Sequence, residues 1–80
     1  MPKSVHSERH RMIASALASQ RRAKGLSQAE VAKILGRHQP FIANIESGER
    51  RVDLVELMDI AKIIDFDVIA LLRDLQDIAE

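Results

Sequence analysis

Eighty residues, 46% of them hydrophobic, make one small domain. A core of that size supplies only about 3–5 kcal/mol, so caps, charge pairs and self-association all matter. The absence of cysteine excludes disulfides and thiolate metal sites. The net charge of zero conceals a division. Residues 1–52 hold ten Lys/Arg against four acids, net +6, whereas residues 53–80 hold two against eight, net −6. A basic working half and an acidic far half is the pattern of a polyanion binder. No apolar run reaches the roughly 18 residues of a membrane span, and MPKSVHSERH lacks the apolar segment of a signal peptide. A cytoplasmic location is the expectation.

In chain order, residues 1–7 show no periodicity and are expected to form a flexible arm, leaving residues 8–80 as the domain. Lys3, Arg9 and Arg11 offer a secondary reading as a basic arm reaching phosphates or a minor groove. His6 and His10 are four residues apart, but no third ligand follows at suitable spacing, so no metal is expected. Helix 1 is expected from Ser7 to Lys24, with Ser7 capping, Glu8 in the first turn and Gly25 ending it. Met12, Ile13, Ala16, Leu17 and Gln20 lie towards one face.

Helix 2 begins at a Ser27–Glu30 capping box, buries Val31, Ala32 and Leu35, and stops at Gly36. Arg37 and His38 make a turn. Helix 3 is expected to start with Gln39 as cap and Pro40 in first position. Ile42, Ile45 and Glu46 share one face of it; Pro40, Ala43, Asn44 and Ser47 share the other. About eight residues of helix are not stable alone, so neighbours must hold the inner face and the outer face is presented rigidly. The two helices and their turn occupy about residues 27–47. Phe41 is left with two roles, bracing helix 3 or touching a base methyl. Helix 4 starts at Asp53 with Glu56 three residues on, and Leu54, Leu57, Met58, Ile60, Ala61 and Ile64 form an arc that leaves out Val55 and Ile63. Asp65-Phe66-Asp67 breaks the pattern, with Asp67 capping helix 5. Helix 5 is expected over about residues 67–79, with Val68, Leu71, Leu72, Leu75, Ile78 and Ala79 on one arc and Ile69 off it.

Arg21, Gly25-Leu26-Ser27-Gln28, Val31-Ala32, Leu35-Gly36, Ile42, Ile45-Glu46 and Gly48 together resemble the helix-turn-helix of the phage repressor/Cro (XRE) family, over about residues 10–72. The resemblance implies an all-α, five-helix lambda-repressor-like domain, here with an extended C-terminal helix, that binds double-stranded DNA in the major groove. It implies an Arg21–Glu46 pair fixing helix 3 against helix 1. It places Ser27 and Gln28 at the DNA backbone, and His38, Gln39, Pro40, Ala43 and Asn44 at the bases. Gln39 and Asn44 carry amides suited to adenine, and Pro40 and Ala43 can meet only apolar groups such as a thymine methyl. Gly48, Arg50 and Arg51 are expected at phosphates. Two departures stand out: Glu49 replaces the family's frequent basic residue, and Pro40 stands where a polar reader is frequent.

Helix 5 continues past the point the family domain needs. Ile63, Ile69, Leu72, Leu75 and Ile78 are therefore expected to form a homodimer surface; the alternative is a longer internal core, with Leu75 and Ile78 on helix 1. An enzyme is not expected, since no phosphate loop, nucleophile–base set or His/Cys spacing is present. The expected function is a DNA-binding transcriptional regulator, a repressor on an inverted-repeat operator, without cofactor or effector domain. The alternatives are an antitoxin-like or regulatory module binding a second protein, and a restriction-modification controller.

Overall fold

A computed structural model describes residues 7–79; the arm residues Lys3 and His6, and Glu80, lie outside the described residues. The described chain forms five α-helices: α1 Glu8–Ala23, α2 Gln28–Leu35, α3 Gln39–Glu46, α4 Leu54–Ile64 and α5 Val68–Gln76. Four of the five starts are fixed by a side chain. The Ser7 hydroxyl accepts from the His10 N–H at 3.1 Å. Ser27 and Glu30 close a reciprocal box, Glu30 N–H to Ser27 Oγ at 3.0 Å and Ser27 N–H to Glu30 Oε1 at 2.8 Å. Asp53 and Glu56 repeat it at 2.7 and 3.0 Å, and Asp67 accepts from the Ala70 N–H at 3.0 Å. These bonds satisfy donors that the first turn of a helix leaves open.

Helix α3 corrects the expected start. Its cap is His38, in extended backbone and without a side-chain bond, and Gln39 is already helical. The turn opens where the Phe41 N–H reaches the His38 carbonyl at 3.0 Å. Pro40 in second position costs no hydrogen bond there, because the first N–H groups of a helix have no internal acceptor.

Helix α5 also ends early, at Gln76 rather than near residue 79. The chain there closes in tight turns, with the Asp77 N–H on the Asp74 carbonyl and the Ile78 N–H on the Leu75 carbonyl, each at 3.2 Å, and Arg9 of α1 braces it. Its Nε donates to the Leu75 carbonyl at 3.1 Å and its Nη2 to the Ile78 carbonyl at 2.8 Å. The guanidinium fork thus adds two donors to carbonyls at and just beyond the end of the helix.

The core gathers Leu17, Val31, Ala32, Phe41, Ile42, Ile45, Leu57, Ile60, Ile64 and Leu71. Helix α1 buries Ala14, Leu17, Ala18 and Arg21, a line rotated from the expected one; Met12, Ile13 and Ala16 are only half-buried. Small alanines let α1 approach its neighbours closely. In α4, Leu57, Ile60, Ala61 and Ile64 are buried, but Leu54 and Met58 are 62% and 57% exposed. The expected arc was too wide: α4 packs on α1, α2 and α5, and none of these covers the face carrying Leu54 and Met58. Among the described residues no helix is long and apolar enough to cross a membrane.

Candidate nucleic-acid interface

The inner side of α3 is tied to α1 and α2 by one buried polar network. Arg21 Nε donates to Glu46 Oε2 at 2.7 Å and Nη2 to Glu46 Oε1 at 3.0 Å. Its Nη1 donates to the Leu26 carbonyl at 2.8 Å, which anchors the chain between α1 and α2. Gln28 Nε2 adds a bond to Glu46 Oε1 at 2.9 Å, and Gln39 Nε2 reaches Gln28 Oε1 at 3.4 Å. The Arg21 and Glu46 side chains are only 11% and 8% exposed. Burial is the largest influence on the Glu46 carboxyl and opposes its charge. The hydrogen bonds from Arg21 and Gln28, with the charges of Arg21 and Arg22, outweigh it and hold Glu46 below the usual carboxylate range. The bond to Glu46 raises the Arg21 guanidinium in turn. The gap beside the pair, lined by Leu17, Val31, Ile42 and Ile60 among others, is small, about 10 Å³.

With its inner side held, α3 turns a continuous outer strip to solvent. His38, Gln39, Pro40 and Asn44 are exposed, with Ala43 half-buried between them and Ser47 exposed at the end. Four of the five residues expected at bases are thus open to a partner, and Ala43 partly so. The expected backbone contacts do not stay together. Arg51 is exposed, but Gly48 is buried and its N–H donates to the Ile45 carbonyl at 3.1 Å, so it is not presented to a phosphate. The Ser27 hydroxyl serves as the cap of α2, and the half-buried Gln28 props Glu46 and Gln39.

Arg50 departs furthest from its expected role. Nη1 and Nη2 bond Glu56 Oε1 and Oε2 at 2.9 and 3.0 Å, and Nη1 also donates to the Arg51 carbonyl at 2.8 Å. The guanidinium carbon lies 4.6 Å from the centroid of the Phe41 ring. Arg37, from the turn before α3, lies 4.3 Å from the same centroid and 3.7 Å from Glu56. Phe41 is 8% exposed and braces α3, which settles its two possible roles. Sequence reasoning missed this cluster of Arg37, Phe41, Arg50 and Glu56. The six-residue spacing of Arg50 and Glu56 across a turn and a helix start carries no periodic signal. The one clue was Glu56 itself, fixed by capping.

The expected dimer residues also divide. Ile69 and Leu72 are 59% and 40% exposed on α5, facing the same open groove as Leu54 and Met58 of α4. Ile63 and Leu75 pack against the core instead, and Ile78 is half-buried. Of the two residues in the alternative of a longer internal core, Leu75 follows it.

Residues 17–71 match the helix-turn-helix family profile HTH_3. No curated protein matches the chain. Among solved structures, an XRE-family like protein from Pseudomonas syringae pv. tomato is 39% identical, with a TM-score of 0.80 over 90% of this chain and 88% of that one. The restriction-modification controller protein C.AhdI from Aeromonas hydrophila is 31% identical, with a TM-score of 0.69 over 76% and 92%. A third, the controller protein C.Esp1396I, solved as a tetramer with its natural 35-base-pair operator, shares the fold at 20% identity and a TM-score of 0.75 over 89% and 93%.

Proposed function

The chain belongs to the XRE-type helix-turn-helix family and is a DNA-binding transcriptional regulator rather than an enzyme, and from that premise we propose that it is a homodimeric repressor of an inverted-repeat operator. The exposed strip of α3 enters the major groove. Gln39 and Asn44 read base edges through their amides, His38 donates to an acceptor at the groove edge, and Pro40 and Ala43 meet apolar groups. Ser27 and Gln28, at the N-terminus of α2, face the backbone with the help of the helix dipole, and Arg51 adds a phosphate contact. The observation that carries this reading is the rigid outward face of α3, locked from behind by Arg21, Glu46 and Gln28.

Dimerisation is assigned to the α4–α5 groove, so Ile69 and Leu72 keep their expected role and Leu54 and Met58 join them. Lys62 lines this groove between Asp59 and Asp65, which gives a two-fold copy opposite charges to meet. The tetrameric controller on its operator is a precedent of the same fold for assembly on DNA. Two recognition helices about one DNA turn apart would then read two half-sites, and repression follows from occupancy.

Fluorescence anisotropy with the duplex upstream of its own gene, beside a scrambled duplex and at several salt concentrations, tests the reading. Tight, salt-dependent binding to the first duplex is expected, with Asn44→Ala losing roughly 1–3 kcal/mol on that sequence alone. Failure to bind either duplex at low salt overturns it and directs attention to a second protein on the α4–α5 face.

A further inference from the structure

The Arg37–Phe41–Arg50–Glu56 cluster brackets α3: Phe41 belongs to the core, while Arg37, Arg50 and Glu56 gather around its ring and are not needed to fill it. Arg37 precedes the helix, Phe41 lies on its first turn, and Arg50 follows its end. Glu56, in the first turn of α4, reaches both arginines. Its carboxylate is fully engaged: Oε1 accepts from the Asp53 N–H at 3.0 Å as well as from Arg50, and Oε2 accepts from Arg50. The capping box thus fixes the carboxylate before any ligand arrives. Arg50 is held on one edge: both protons of Nη1 and one of Nη2 are taken, and the ring of Phe41 lies against the guanidinium. A phosphate that took the paired edge of the fork would have to break the bidentate bond, and one that met the remaining protons would do so against the neighbouring carboxylate charge.

We propose that Glu56 determines specificity without touching DNA: it withdraws Arg50 from the phosphates and so restrains sequence-independent binding. The inference rests on the DNA-binding reading. Sequence-independent affinity comes almost wholly from phosphate neutralisation, and a regulator is useful in proportion to the ratio of specific to non-specific affinity. A domain with +6 in residues 1–52 gains from an internal counter-charge beside its recognition helix. Arg37 is the less committed partner, at 3.7 Å from Glu56 and 48% exposed. The hydrogen bond from Arg50 is the main reason that the Glu56 carboxyl sits below the usual carboxylate range, so the counter-charge is in place at neutral pH.

The test is the salt dependence of binding to a random-sequence duplex and to the upstream duplex, for the full chain and for Glu56→Gln and Arg50→Gln. Circular dichroism confirms that each variant is folded. Glu56→Gln is expected to steepen the log–log salt slope on random DNA by about 0.9 for each guanidinium released. It should also narrow the preference for the upstream duplex severalfold. Arg50→Gln is expected to leave the slope as in the parent chain, and the double substitution to cancel the gain. A flatter slope in Arg50→Gln would show that Arg50 already contacts a phosphate, which overturns the proposal even if Glu56→Gln does not fold. An unchanged slope in folded Glu56→Gln also overturns it. Absence of binding by the parent chain to either duplex is a different failure, that of the DNA reading itself.

Discussion

Two arginine–glutamate pairs hold the recognition helix, and their bonding is nearly the same. Arg21 and Glu46 meet at 2.7 and 3.0 Å; Arg50 and Glu56 meet at 2.9 and 3.0 Å. Their surroundings differ. Arg21 and Glu46 are 11% and 8% exposed, whereas Arg50 and Glu56 are 40% and 14% exposed. Attraction at a given distance grows as water is excluded, and so does the penalty for leaving one partner alone. The buried pair is therefore a structural commitment that cannot be half-removed. The outer pair is more exposed, so altering it is expected to cost the domain less. Equal geometry does not mean equal worth; burial decides.

The largest expected effect comes from Arg21→Ala. It strands a buried Glu46 and should cost roughly 3–5 kcal/mol, read from urea unfolding by circular dichroism. Arg21→Lys should recover only part, because an ammonium cannot reproduce the fork that spans Glu46 and the Leu26 carbonyl. A loss as small as that of an exposed pair would erase the distinction drawn here.

Acid titration sharpens the same contrast. Glu46 and Glu56 are both held below the ordinary carboxylate range. A carboxyl lowered in the folded state stabilises fully above its unfolded value, about 4.3 for glutamate, and that contribution is lost as pH falls through the folded value. Stability is thus expected to fall on acidification below that point. Glu46→Gln should flatten this loss more than Glu56→Gln, measured as unfolding midpoints across the acid range.

Gly36→Ala probes the backbone between α2 and the outer cluster. Gly36 sits at φ 75°, and nothing lies within 4 Å of an added Cβ, so the cost is conformational alone, about 1–2 kcal/mol by thermal unfolding. The smallest stability effect is expected for Glu56→Gln, about 0–1 kcal/mol, since Arg50 stays partly in water and a glutamine can still accept from the Asp53 N–H. A larger loss would place the outer pair with the inner one as a structural element.

Local chemistry was legible wherever a feature depends on residues a few positions apart. Ser7, Ser27, Asp53 and Asp67 cap the helices they were expected to cap, and Gly36 ends α2. The opposition of Ile42 and Ile45 to Pro40 and Asn44 on α3 follows from its period alone. The Arg21–Glu46 pair was legible only through family resemblance, because no pattern links positions 25 residues apart. The arcs of α4 and α5 were read too wide, because an apolar stripe shows what a helix can bury and not how much its neighbours cover.

The sequence by itself determined five helices, the caps of four of them, and a short third helix with a polar outer face, because these arise from hydrogen bonds and side-chain periods within a turn or two. Only the tertiary structure decided which charges remain for a partner. Arg9 is drawn to the end of α5, Gly48 turns its N–H into α3, and Arg50 is held by Glu56. A charge in a sequence has no partner until the chain folds, and the acceptor it finds is set by proximity in space.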